Sequence, residues 1–276
     1  MDRTGSKNEH LAESLNRPKK VAEILDEQIE KAMEEHKRSN SDVFVSAIAA
    51  GLELGFSVFL MGVLYSLYFE QVSAASLHMI LSLAYPLGFI FVVIGKSELF
   101  TEHTTMAILP VFNRRTTIKS LLILWGVIYS GNLIGGTLFS LGLVKLPIDM
   151  GVILPEALVS MAAKMIRFDW SVILGSGILA GWLMGLLSWL VASSQETFSR
   201  IFSIILVTVV IGLGGLHHSI VGSIEVFSGM LLSEDITILS YLHVLTWSTF
   251  GNLIGGVVFV ALLKFSYATR ERIVQK

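Results

Sequence analysis

The sequence predicts an all-α membrane protein of six transmembrane helices, arranged as two inverted three-helix repeats in which helices 2 and 5 are broken. Three observations lead there. Of 276 residues, 53% are hydrophobic and only 15% charged, and the mean hydropathy of +0.70 lies far from the balance of a soluble domain. Residues 95–101 and 222–228 share the pattern G-x-x-E-[LV]-F-[ST], each inside a long apolar segment. Residues 130–136 and 250–256 share G-N-L-I-G-G, preceded by Ser130 and Phe250. Charge and glycine at membrane depth are tolerated where protein buries them or where they line a cavity, so the matched pair points to a transport path.

Crossing a bilayer takes ~20 apolar residues, and the runs that qualify are 43–69, 76–112, 118–144, 171–192, 201–232 and 238–265. The second is too long for one crossing and contains Pro86, Gly95, Lys96 and Glu98. The fifth is also over-long, interrupted by the glycines of 212–215, by His217 and His218, and by Gly222. Each therefore reads as two half-helices joined by an irregular segment. In the third and sixth, Gly131/Gly135 and Gly251/Gly255 stand four apart, a spacing that lets helix backbones approach closely in lipid. The unit is three spans used twice, and an odd number inverts the second copy.

Arg114, Arg115 and Lys119 follow the second span and Arg200 the fourth, whereas Glu70, Glu234 and Asp235 occupy the short connections after the first and fifth. Positive-inside logic places both termini in the cytoplasm of a multi-pass cell membrane protein. Residues 1–42 form a cytoplasmic region, 43–265 the transport domain and 266–276 a cytoplasmic tail. Within the first, Val21, Ile24, Leu25, Gln28, Ile29, Ala32 and Met33 follow helical spacing, which predicts an amphipathic helix lying on the membrane or on a neighbouring subunit. The net charge of −2 and scattered basic residues exclude a nucleic-acid partner, and the absence of cysteine excludes disulfides and thiol chemistry.

At the first break, Lys96 and Glu98 read either as groups that neutralise each other or as pathway residues, and Thr101 as an uncharged hydroxyl able to orient a partner or a substrate. At the second, His217 and His218 titrate near neutral pH and, being adjacent, point in different directions. With Glu225 they could in principle ligate zinc, but no H-E-x-x-H spacing exists, and no metal or cofactor is expected.

With these residues in view, the chain resembles the formate/nitrite transporter family. Glu98-Leu99-Phe100-Thr101 matches the motif of that family's first broken helix and His218-Ser219-Ile220 that of its fifth; the Gly-Asn pairs of spans three and six fit as well. The resemblance implies an aquaporin-like protomer within a homopentamer, one pore per protomer, passing formate, nitrite or a similar small anion together with a proton. It makes His218 the central pore histidine and Thr101 its hydroxyl partner, with Leu99, Phe100, Leu216 and Phe227 as constrictions and Lys164 as a vestibule lysine. Where formate-branch members often carry an acid before the central histidine and an asparagine four residues after it, this chain has His217 and Gly222. Lys96, Glu98, His217 and Glu225 are its own selectivity candidates.

A bare anion crossing apolar constrictions bears a large desolvation cost, so protonation assisted by His218 is the expected mechanism of a pH-dependent channel rather than an enzyme. A proton-coupled carrier or channel for another small ion or for a neutral solute is the alternative, although neither of the N-P-A signatures of a water channel occurs.

Overall fold

The computed structural model describes residues 17–274, and among these every regular element is helical. Residues 1–16 of the expected N-terminal region and 275–276 of the tail lie outside the described residues. Helix α1 (Val21–Lys37) begins at Lys20, whose backbone N–H donates to Glu23 at 3.0 Å, and buries Ile24, Leu25, Gln28, Ile29 and Ala32. This is the stripe that the spacing predicts. Its seat differs from the expectation: α1 lies on other helices of its own chain, with Gln28 donating to the Ser188 carbonyl (2.9 Å) and His36 bonded to the Ala107 carbonyl (3.0 Å).

Helix α2 (Asn40–Tyr68) starts where the Ser39 hydroxyl accepts the Asp42 N–H, satisfying a donor that the first turn leaves unpaired. Helices α3 (Ala74–Ala84) and α4 (Pro86–Gly95) meet at Tyr85 and together run long enough to cross a membrane; the short α5 (Phe100–Met106) and α6 (Leu109–Phe112) follow. The segment 76–112 thus divides into one membrane-length helix pair and a short return whose first helix, α5, is wholly buried. Helix α7 (Ile118–Leu143) is capped by Thr117, and α8 (Leu146–Asp149) and α9 (Pro155–Ile166) lead to α10 (Trp170–Ser193). The other interrupted segment gives α11 (Thr197–Leu213) and α12 (Ser219–Met230). Helix α13 (Ile238–Gly256), capped by Thr237, passes through a π-helical stretch, Val257–Leu262, into α14 (Leu263–Val274). By length and composition, five helical stretches suffice to cross a membrane, and α11 and α12 are shorter apolar helices.

Two helix pairs carry the bundle, α2 with α7 and α10 with α13. Their contact is backbone against backbone. A Cβ on Gly135 would overlap the Ile48 carbonyl, and one on Gly255 the Ile178 carbonyl; Gly51 and Gly181 stand in the same way against the backbone of Asn132 and Asn252. Lipid supplies no hydrophobic drive between helices, so close approach through small residues is what holds each pair. Large side chains such as Leu122, Leu138, Leu206 and Phe250 remain exposed on the flanks, where hydrocarbon is their solvent.

Candidate functional site

Both interruptions are built the same way. Helix α4 ends at Gly95 with Lys96 in the left-handed region (φ 61°), and α11 ends at Leu213 with Gly215 there (φ 57°). In each, the next N–H reaches back five residues, Ser97 to the Val92 carbonyl and Leu216 to the Ile211 carbonyl, both at 3.0 Å. This bond and the left-handed residue form the turn that commonly closes a helix. Two residues further on, the extended Leu99 and His218 open α5 and α12.

An asparagine from another helix brackets each turn. Asn132 Oδ1 accepts the Phe100 N–H (2.8 Å), while its Nδ2 donates to the carbonyls of Glu98 and Ala47, both at 2.8 Å. Asn252 Oδ1 accepts the Ser219 N–H (2.8 Å), while its Nδ2 donates to the carbonyls of His217 and Gly177, both at 2.9 Å. Both amides are buried; each satisfies two main-chain groups of its turn and also donates to one carbonyl of a regular helix, Ala47 in α2 or Gly177 in α10.

This bracket sets a register different from the one the G-x-x-E motif suggests. By position in the turn, Lys96 corresponds to Gly215, Ser97 to Leu216, Glu98 to His217 and Leu99 to His218. The second motif copy does not span the break. Gly222 and Glu225 lie inside α12, one and two turns beyond it.

The two short helices meet at Thr101 and His218, where Thr101 Oγ1 and His218 Nε2 are 2.7 Å apart and both residues are buried. The Val221 N–H donates to His218 Nδ1 at 3.3 Å. That nitrogen is therefore the acceptor, and in the neutral ring the proton sits on Nε2, directed at Thr101. Thr101 then accepts, and its own hydroxyl hydrogen is free for a third group. Phe89 packs edge-on to the imidazole at 5.1 Å. His217 points elsewhere, as adjacent residues in extended backbone must: Nδ1 meets Ser176 Oγ at 2.9 Å and Nε2 the Met165 carbonyl at 3.1 Å.

The remaining expected residues separate into groups. Leu99 is fully buried at the turn. Phe100 packs edge-on against Trp125 and Tyr129, and Phe227 against Tyr241. Leu216, Lys164 and Glu225 line a cavity of about 390 Å³ beside the second break, with Tyr85, Met165, Arg167 and Phe168 among the other walls.

Glu98 does not pair with Lys96. It accepts from Arg38 Nη1 (2.6 Å) and makes a short contact with His103, while Arg38 also holds Glu35 at 2.7 Å. Lys31 lies 3.6 Å from Glu102. Lys96 is exposed, its side chain carried outward by the left-handed turn. Burial, then the charge of Glu98, pushes the Glu35 carboxyl above its ordinary range, and Glu102 raises Lys31. Arg38 and Lys31 lie outside the motifs. Only the docking of α1 brings them to the break, and the one advance signal is the helical spacing that places them on it.

Five apolar membrane-length stretches and two bracketed turns that meet at a buried Thr101–His218 contact define a helical membrane protein with polar groups buried between its helices. The model of the formate/nitrite transporter family matches residues 22–266, and the chain belongs to that family. It is 33% identical over 224 residues to the inner membrane protein YfdC of Escherichia coli, covering 79% of this chain and 69% of that one. To the nitrite transporter NirC of Salmonella typhimurium it is 28% identical, covering 82% of each. A solved pentameric formate channel with formate bound superposes with a TM-score of 0.71 at 20% identity, covering 83% of this chain and 97% of that chain, which is a likeness of fold.

Proposed function

We propose that this protein is a membrane channel for small monovalent anions of weak acids, formate first and nitrite next, in which His218 assists protonation of the anion inside the pore. The single observation that carries the reading is the Thr101–His218 bond joining the ends of two short helices at the centre of the bundle. In this reading six crossings form two inverted three-helix repeats, with the second and fifth interrupted at 96–99 and 214–218. Residues 43–265 are the transport domain, 1–42 and 266–276 face the cytoplasm, and five copies assemble with one pore each, as in the pentameric formate channel whose fold this chain shares.

The chemistry follows from the tautomer. The Nε2–H occupies Thr101, leaving the threonine hydroxyl hydrogen to meet an anion. Helix N-termini at Leu99 and His218 add partial positive charge from both sides. The ring gains a second proton at Nδ1 by releasing the long Val221 bond. The imidazolium can then give its Nε2 proton to the anion, which crosses the apolar constrictions as the neutral acid, free of most of its desolvation cost.

The test is osmotic swelling of liposomes containing the protein, in formate, nitrite, acetate, lactate and glycerol across pH. Formate and nitrite entry that rises as the pH falls is expected, and His218→Asn should flatten that dependence. Glycerol entry without formate entry, or His218→Asn flux matching the wild type at every pH, would overturn it.

A further inference from the structure

A second proton-carrying group lies on the same helix. Along α12, His218, Gly222 and Glu225 are spaced i, i+4, i+7 and form one stripe, which leaves the Thr101–His218 contact and enters the 390 Å³ cavity. Gly222 keeps the stripe open, since a side chain there would press on Met165. Glu225 is only 8% exposed and lines the cavity. Among the described residues its carboxyl makes no hydrogen bond and no ion pair, and its open side is the cavity rather than sealed protein, which leaves it available to a molecule that enters. The titratable groups around it are Lys164 on α9, Arg167 at the end of α9, His78 on α3, Tyr85 between α3 and α4, and His217, which bonds the cavity wall at Met165. Lys164 and Tyr85 are near enough to feel its charge. His217 is occupied on both ring nitrogens.

His218 cannot serve as a sole donor while Val221 holds Nδ1, because giving up its only ring proton would leave an imidazolate. A donor positioned one stage earlier removes that difficulty.

We propose that Glu225 is a proton donor to the anion in the cavity, ahead of His218. Lys164 and Arg167 attract the anion into the cavity. The Glu225 carboxyl O–H bond breaks as an O–H bond forms on the anion, the neutral acid moves along the Gly222 face to the constriction, and hydronium from the cavity side restores the carboxyl proton. The Glu225 carboxylate left between these steps is balanced by Lys164 and Arg167. This assignment rests on the weak-acid channel reading above and adds an earlier step to it: Glu225 gives the first proton, and the His218 imidazolium returns a proton to acid that ionises again at the constriction.

The experiment compares formate entry into proteoliposomes for the wild type, Glu225→Gln and Glu225→Asp while the pH on the cavity side is stepped. Glu225→Gln should lower entry by about a hundredfold at acidic pH and flatten its pH profile, and Glu225→Asp should restore the slope. A Glu225→Gln profile parallel to the wild type overturns the donor role and leaves the channel reading intact, whereas absence of formate entry in the wild type overturns both. Infrared difference spectra of the wild-type protein give a readout independent of the variants' folding. Adding formate should shift a protonated-carboxyl C=O band, and the absence of any such shift overturns the proposal.

Discussion

The two breaks have one backbone and two chemistries. At 96–99 the turn displays lysine, serine, glutamate and leucine, and its glutamate is tied to the end of α1 through Arg38 while its lysine faces outward. At 215–218 the same positions display glycine, leucine and two histidines, all free of formal partners of opposite sign and tied only to neutral groups such as Ser176, Met165 and Thr101. In both, the asparagine bonds only main-chain atoms, so the frame is indifferent to what the turn displays. One turn anchors the N-terminal helix, and the other carries the histidine that meets Thr101.

That division can be broken experimentally. The largest effect is expected from Asn132→Ala and Asn252→Ala. Each strands two buried main-chain groups of its turn, at about 1–3 kcal/mol per group, so thermal unfolding in detergent should register a loss of roughly 2–6 kcal/mol for either variant. A clear inequality would show that one bracket has redundant support. Next come Gly135→Ala and Gly255→Ala, whose new Cβ atoms would overlap the facing carbonyls. Separating the helices should cost about 1–3 kcal/mol, read in the same assay. A smaller and asymmetric result is expected at the left-handed positions. Gly215→Ala meets no atom within 4 Å but must hold φ 57°, a loss of about 1 kcal/mol, whereas Lys96→Gly relieves the same conformation and should gain a similar amount.

The smallest effect concerns α1. The Glu35 carboxyl is raised in the folded protein, so its contribution to docking is complete below its unfolded value and fades as the pH rises through the folded one. Proteolysis at the 38–39 junction should therefore increase between acidic and neutral pH in the wild type. Glu35→Gln should hold it near the acidic level, and an unchanged pH response in that variant would remove Glu35 from the docking.

Much of the scaffold was legible in advance because hydropathy and glycine spacing act locally. The stripe of α1, the interruption of two apolar segments and the G-N-L-I-G-G copies all come from neighbouring residues. The register of the breaks was not legible. G-x-x-E-[LV]-F-[ST] matches by composition, but the turn lies where an asparagine over thirty residues away meets it, and that distance is spatial information. For the same reason Glu98 read either as a partner of Lys96, two positions away, or as a pathway residue, whereas its cation is Arg38 at the end of α1. Thr101 and His218 were legible as residues, and their mutual contact became visible only when both turns were placed.

The asparagine frame also bears on how such a protein diversifies. Because the amides hold carbonyl and N–H groups that every residue other than proline supplies, the side chains at the turn can be exchanged without rebuilding the bundle. Selectivity can then drift through single substitutions while the architecture is inherited unchanged. The turn is thus a socket with interchangeable fittings, and the asparagine that grips it is the part a lineage must keep.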